Sequence, residues 1–589
     1  MEVYYQHVTT AADLRAVCQE FSALQAIGLD TETTELDPYK GELRLIQLAA
    51  SPTNVKLIDL RNFPDPKTNP DLDCLRDLLF AARPTKVLHN AKFDAKWLRF
   101  HIGAELGGIF DTLLGSQIIA AGETDRRHNL ADVSAEFLGI QVDKTEQRSD
   151  WSAAELSPLQ LEYGARDAAI VLPLREKMIE RFKQDALLKV AQLEFECVMP
   201  VAMLELAGLY VDPARWREQL AKVKKDQLVI ADELQDLLSG GIMQGSLFGR
   251  PEINLDSHTQ LTDALKRLGV PMPESTRSWQ LEPLADEYPV IKKLIEYRTV
   301  AKAISSYGES FLEYINPKTN RIHGDFRQIG APTGRFSCNN PNVQQVPHGT
   351  EYRRCFRAPE GRKLVISDYS QIELRILADF TSDEGFVTAF NSGADLHRET
   401  AAQIFNVASD QVTSDQRSFA KRINFGVVYG IGAQRVANLT GISVDDARSL
   451  LSKYFKTYPR LDTWLREAAQ RATRERQART ASGRLARFRF DPEDRQAISL
   501  AERNGKNTPI QGTSADILKR ALRLLHEELR GTTACLVNII HDEIVVEADA
   551  DKAEEVVECM ERAMCQAGEE YVKKVPVKVE SVISDEWLK

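Results

Sequence analysis

The sequence contains no C-x-x-C pair: its eight cysteines (Cys18, Cys74, Cys197, Cys338, Cys355, Cys535, Cys559 and Cys565) are scattered along 589 residues. That spacing supports neither a zinc ribbon nor a disulfide framework and reads as reduced cytosolic thiols. No apolar run reaches the roughly 18 residues of a membrane span, and the opening Met1-Glu2-Val3-Tyr4 lacks a basic stretch followed by an apolar one. Neither a span nor a secretory leader is expected. Tracts rich in Gln and Asn, in Ser, or in Pro and Gly are missing too, so no long disordered region is expected. Positive charge is in deficit, with 75 Lys and Arg against 86 Asp and Glu. Average charge is nevertheless a weak guide, because carboxylates can gather at metal sites while basic groups line a groove. One basic stretch, Arg466 to Arg489, sets eight arginines against only Glu467 and Glu475.

What is present suits a multidomain globular chain, 43% hydrophobic and 27% charged. Residues 1 to about 180 read as an α/β unit, with strands at Ala26 to Glu32, Leu43 to Ala50 and Val55 to Leu60, and helices at Asp71 to Ala82 and Phe93 to Arg99. Helical periodicity takes over at Phe195 to Ala207, Pro213 to Leu238 and Pro289 to Tyr314, with a glycine-rich mobile loop expected from Ser239 to Ile253. A strand at Lys363 to Ser367 precedes a helical block running to about Leu525. The end is β-rich again, with a hairpin at Leu536 to Ile540 and Glu543 to Glu547 and a last strand at Val575 to Ile583.

Asp30 and Glu32 stand at i and i+2 of a strand, so both carboxylates emerge on one face, where they repel unless a cation lies between them. Asp94 follows at a helix start, and Tyr163 and Asp167 share a helical face at i and i+4. Asp-x-Glu, Asn-x-x-x-Asp and Tyr-x-x-x-Asp in this order resemble the three motifs of the DEDD-type 3′→5′ exonucleases, whose fold is RNase H-like. The resemblance implies that Asp30, Glu32, Asp94 and Asp167 hold two divalent cations and that Tyr163 orients the attacking water. Trp151 through Tyr163 is also similar to the RNase D branch, which leaves DNA and RNA both open as substrates.

A second carboxylate set lies far along the chain. Asp368 ends a buried-type strand in Leu364-Val365-Ile366-Ser367-Asp368-Tyr369, and Asp542 sits at the tip of the hairpin Ile540-His541-Asp542-Glu543. Between them Arg417, Lys421, Phe425 and Tyr429 recur every four residues, so two cations and two rings line one helix face. Such a face is poor core and a good nucleotide receptor. These segments resemble motifs A, B and C of the family A, DNA polymerase I-like, DNA polymerases. The likeness extends to Thr333-Gly334-Arg335, Pro341-Asn342-Val343-Gln344, Asp395-Leu396-His397-Arg398 and the Ala501 to Asp516 stretch.

The resemblance implies an α/β and α+β multidomain chain: an RNase H-like exonuclease over 1–185, then a right-hand polymerase over 186–589, with thumb about 195–315, palm about 316–385 and 505–589, and fingers about 386–504. It implies catalytic Asp368, Asp542 and Glu543, with two Mg²⁺ per site, for which Mn²⁺ can substitute, held in the palm by Asp368, Asp542 and the Tyr369 carbonyl. It further assigns His397, Arg417 and Lys421 to the triphosphate of the incoming dNTP, Phe425 and Tyr429 to its base and sugar, and Gln371 and Glu373 to the sugar side. Arg335, Asn342, Gln344, Arg503, Asn507, Gln511 and His541 are assigned to primer-template DNA. The expected enzyme is a monomeric, cytoplasmic DNA polymerase with proofreading, at a nucleoid or in a phage host, with room for a processivity partner and no membrane association. Three departures from the family pattern are a start almost at the exonuclease, which predicts no 5′ nuclease domain and no nick translation by this chain, a short link at His348-Gly349-Thr350-Glu351, and an end at Trp587-Leu588-Lys589 without the His-ending tail common in relatives. Rival readings are an RNase D-like RNA exonuclease whose C-terminal part only grips nucleic acid, and a scaffold that has lost metal binding.

Overall fold

The computed structural model describes residues 1–123, 125–239, 253–271, 276–347, 351–428 and 430–588. Tyr429, His348 to Thr350 and most of the expected Ser239 to Ile253 loop lie outside the described residues. The chain forms two compact units: one of Met1–Gly208, Gly324–Gln345 and Pro359–Asp585, the other of Leu209–His323, Val346–Ala358 and Glu586–Lys589.

The N-terminal part of the first unit is a six-stranded sheet of β1 (Tyr5–Val8), β2 (Ala26–Thr33), β3 (Leu43–Ser51), β4 (Asn54–Asp59), β5 (Thr85–Leu88) and β6 (Ile109–Asp111), in the order β1-β4-β3-β2-β5-β6. Strand β2 runs antiparallel to β3 and parallel to β5, and helices cover both faces, so it is apolar and buried except where its carboxylates emerge. Helix α1 (Ala91–Ile102) starts two residues earlier than the periodicity predicts. The cause is long-range, since the backbone N–H groups of Asn90 and Ala91 donate to the Asp111 carboxylate at 3.1 and 2.8 Å. Helix α2 (Pro158–Gln184) opens with a capping box of Ser157 and Gln160 and a proline in its first turn. It crosses β2 so closely that a side chain at Gly28 would meet the carbonyl oxygen of Ala168 at 1.8 Å. Only glycine permits that approach, and the approach sets Asp167 over Asp30 and Glu32.

The C-terminal part of the same unit is built on β7 (Arg362–Tyr369), followed by α3 (Ile372–Thr381), α4 (Leu396–Phe405), α5 (Ser414–Val428), the long α6 (Arg495–Glu528), the hairpin β8 (Cys535–Ile540) and β9 (Glu543–Asp549), α7 (Ala553–Glu569) and β10 (Val579–Ser584). Its sheet is antiparallel in the order β8-β9-β7-β10, with Asp368 registered against Glu543 on one side and Glu580 on the other. The last strand starts later than predicted, beyond Pro576, which has no N–H to give a ladder. The expected helical block is interrupted by a small hairpin, Gln477–Arg479 with Leu485–Arg487, whose turn needs the positive φ of Gly483.

In the second unit, helices Pro213–Ser239 and Pro289–Tyr307 pack around Leu234, Leu261, Leu265, Ile291 and Leu294. The second of these is shorter than predicted: it stops at Gly308 and continues as a 3₁₀ segment, Glu309–Tyr314. At its base Trp216 stacks on Phe311 with centroids 4.4 Å apart, and Trp587 is capped by the Arg353 guanidinium at 4.1 Å.

Candidate active sites

Strand β2 delivers Asp30 and Glu32 to the face covered by α2, which brings Tyr163 and Asp167 down onto them, while α1 brings Asp94. Thr31, on the opposite side of the strand's pleat, donates its hydroxyl to Asp94 at 2.7 Å. Burial first, then the charges of Glu32, Asp94 and Asp167, hold Asp30 well above the usual carboxylate range, and Glu32 is raised in the same way. Burial lifts Asp94 to about 7 against the Thr31 hydrogen bond, and Asp167 to about 6 against a hydrogen bond with Tyr163. The four carboxylates that the sequence singled out therefore form one electrostatic cluster. Among the described residues they do not form a ready-made metal cage. They fit a divalent ion nonetheless: the donors are hard oxygens, and Asp167 Oδ1 is buried with no hydrogen-bond partner among the described residues.

The helix that carries Asp94 is held from behind. Lys92 and Lys96, both turned away from Asp94, reach the buried Glu205 at 2.6 Å, and Lys92 also bonds Asp325 at 2.7 Å and the Phe326 carbonyl at 2.7 Å. Burial alone would lower Lys92, but Glu205 and Asp325 outweigh it and hold the ammonium above its ordinary value. Sequence reasoning missed these supports, as it missed Asp111, because each partner lies at least 20 residues away.

The raised carboxylates have a consequence for stability. A folded-state pKa above the ordinary value favours folding at low pH, and that contribution is lost as pH rises through about 6 for Asp167 and about 7 for Asp94. Removing divalent ions with EDTA should therefore lower the unfolding midpoint more at about pH 8 than at about pH 5, and added Mg²⁺ should restore it. Scanning calorimetry reads both effects, and an equal loss at the two pH values would contradict a cation-binding cluster.

At the second centre Asp368 is the last residue but one of β7 and Asp542 tips the β8–β9 hairpin, where His541 takes a positive φ of 55°. Burial first, then the charge of Asp368, raises Asp542 to about 7; Glu373 adds to the rise and Arg335 opposes it. The Tyr369 N–H faces the Asp542 carbonyl at 3.4 Å, and its hydroxyl donates to the Met564 carbonyl at 2.7 Å. Glu543 is buried opposite Asp368. Gln371, in a left-handed conformation ahead of α3, keeps Oε1 buried without a hydrogen-bond partner among the described residues. Glu373, 8% exposed, is clasped by Arg335.

Helix α5 places Arg417 half-buried, Lys421 exposed and Phe425 half-buried along one face. Arg417 Nε donates to Asp395 Oδ2 at 2.5 Å. His397 lies buried behind them, its Nδ1 3.0 Å from Asn424 Nδ2 and its ring 5.7 Å from that of Phe425. Burial, aided by Arg417 and Lys421 and opposed by Asp395, lowers His397 to about 4, so it is neutral at pH 7. Lys421 and Phe425 line a pocket of about 620 Å³ with Arg435, Glu502, Arg503 and Lys506. Asn424, which sequence reasoning passed over, also bonds Thr400 and Tyr454; its signal was an amide among the apolar positions of the helix.

Arg503, Asn507 and Gln511 follow one another along α6, Arg503 exposed and Asn507 with its Oδ1 buried and without a hydrogen-bond partner among the described residues. Asn342 accepts from the Gln344 N–H at 3.1 Å, and Gln344 donates to the Ile539 carbonyl at 3.0 Å, beside the hairpin of Asp542. The basic stretch is not a continuous groove. Arg484 is buried in a network with Glu194, Asp516 and Lys519, while Arg487 and Arg489 pair with Asp185 and Glu123.

Comparison with known proteins matches residues 230–589 to the family described as DNA polymerase family A and residues 5–183 to that described as 3′-5′ exonuclease. The chain is 32% identical to the DNA polymerase I of Aquifex aeolicus over 99% of its own length and all of that protein's. It is 30% identical to the DNA polymerase I of Pseudomonas aeruginosa over its whole length, spanning 66% of that longer chain. Among solved structures, the POL domain of Pol1 from M. smegmatis, in complex with DNA primer-template and dNTP, superimposes with a TM-score of 0.85 at 25% identity, covering 99% of both chains. Among the described residues no helix is long and apolar enough to cross a membrane.

Proposed function

The chain belongs to DNA polymerase family A, with a 3′-5′ exonuclease domain ahead of the polymerase, and we propose that it extends primer 3′ ends along a DNA template at the Asp368–Asp542 centre and excises mispaired ends at the Asp30 centre. The observation that carries this reading is the presence in one chain of two separate buried carboxylate centres, each with the neighbours its own chemistry needs. Replication and repair are the settings such an activity serves. The same resemblance makes palm of the β7–β10 sheet, fingers of α4 and α5, and thumb of the second unit. Primer-template DNA and dNTPs are the partners, and the monomeric chain is the working form.

Two divalent ions per centre, Mg²⁺ with Mn²⁺ as substitute, would be held by Asp368, Asp542 and the Tyr369 carbonyl in the polymerase and by Asp30, Glu32, Asp94 and Asp167 in the exonuclease. When bound they activate the attacking oxygen and neutralise charge on the phosphate. The chain's own residues do the positioning. Lys421 and Arg417 take the triphosphate, with neutral His397 behind them, and Arg417 must exchange its bond to Asp395 for a phosphate oxygen. Lys421 also gives a proton to the leaving pyrophosphate. Phe425, with Tyr429, bounds the nascent base pair, while Arg503, Asn507, Gln511, Asn342, Gln344 and His541 follow the primer-template. In the exonuclease Tyr163 orients the attacking water. A recessed DNA duplex tests the assignment: extension with dNTPs and Mg²⁺, and resection without dNTPs, are expected, and activity on RNA alone would favour an RNase D-like enzyme.

Glu373 is the proposed sugar gate. The Arg335 clasp fixes its carboxylate, so a 2′ hydroxyl meets a wall that cannot swing aside. Glu373→Ala should raise ribonucleotide incorporation at least about tenfold, read by competing a ribonucleotide with its deoxy counterpart at one template position. Unchanged selectivity would move the gate elsewhere.

A further inference from the structure

Gln47 sits on β3 directly opposite Asp30 of β2, so both side chains project from the same face of the sheet, toward α2. It is completely buried, and among the described residues neither its amide nitrogen nor its amide oxygen has a hydrogen-bond partner. Its nitrogen is directed at α2, where a Cβ added to Gly164 would meet it at 2.5 Å, beside Tyr163 and one turn from Asp167. An apolar side chain of equal size would avoid the cost of burying an unpaired amide. A buried amide with both ends open, at the wall of a carboxylate cluster, suits a group whose partner appears only in the working state.

We propose that Gln47 is a positioning residue of the exonuclease: its amide N–H donates to the Asp30 carboxylate in the state that holds a divalent cation, orienting that ligand. This rests on the exonuclease reading above and adds a residue outside the four carboxylates and Tyr163. Asp30 is the cluster member best suited to such help. It is the one paired with Gln47 directly across the β2–β3 ladder, on the same face of the sheet.

The test is Gln47→Met in the full chain, with three readouts. Resection of single-stranded DNA should fall about tenfold, and the Mg²⁺ concentration for half-maximal resection should rise several-fold, as for other groups that orient a metal ligand. The thermal midpoint in EDTA should stay level or rise, because an unpaired amide has been removed. Primer extension should be unchanged and reports that the chain is folded. Gly164→Ala, whose new methyl displaces the amide while improving the helix, should reproduce the loss. Unaltered Mg²⁺ dependence in both variants, or a lowered midpoint with unaltered Mg²⁺ dependence, would overturn the proposal and leave Gln47 a structural residue. Asp30→Ala with Glu32→Ala serves as control: if it still resects, the exonuclease reading itself fails, whereas a dead control beside active Gln47→Met rejects only the role of Gln47.

Discussion

Asp542→Ala should lower primer extension at least about 10³-fold while leaving resection of the same primer within about twofold of wild type. Asp542 stands on a hairpin tip whose strands are buried and paired along their length, so the substitution removes a carboxylate without removing a support. Its burial, and the nearby charge of Asp368, push it up to about 7, so a cation beside the pair would favour its ionised form. Asp30→Ala with Glu32→Ala should give the mirror result, because β2 and its carboxylates belong to the N-terminal sheet and share no ligand with the β7–β10 sheet. Both rates can be read from one end-labelled primer, with and without dNTPs. Loss of both activities from either change in a folded protein would reject two independent centres.

Phe425→Tyr should erase most of the discrimination against dideoxynucleotides, which in the wild type should be about 10²-fold or more. The ring of Phe425 stands one turn beyond Lys421, lines the same pocket, and has no hydroxyl to offer the sugar. Polar partners near the sugar 3′ position must then be met by the nucleotide's own 3′ hydroxyl, and an analogue without it leaves them unpaired. The added tyrosine oxygen supplies that group from the protein. Competition between dGTP and ddGTP at one template position measures the ratio, and equal termination by the two proteins would mean that α5 does not bind the nucleotide.

The carboxylates were legible because their spacing encodes geometry: i and i+2 on a strand, i and i+4 on a helix, and a strand or hairpin end. The face of α5 was legible for the same reason. What supports them was not. Asp111 caps the helix of Asp94 from 20 residues away, Glu205 braces it from more than 100, and Arg335 clasps Glu373 across 38. Such partners share no local period, and only the folded chain brings them together. Composition left the arginine-rich stretch open between a nucleic-acid groove and a solvated helix face, and three of its members, Arg484, Arg487 and Arg489, close ion pairs within the first unit. A helix start moved where a backbone donor found a distant acceptor, as at Ala91, and a strand start moved where a residue without N–H stood in the expected strand, as at Pro576.

The claim that one chain both inserts and removes nucleotides at the same primer end is tested most directly by idling turnover. A recessed duplex is supplied with Mg²⁺ and only the next templated dNTP, carrying a label in its base, and release of labelled dNMP is followed. Label can reach the monophosphate only by insertion and then excision. The two-centre account predicts steady release by the wild type and none by Asp542→Ala or by Asp30→Ala with Glu32→Ala. Labelled dNMP from either variant at the wild-type rate, or none from the wild type while it extends the primer, would contradict it.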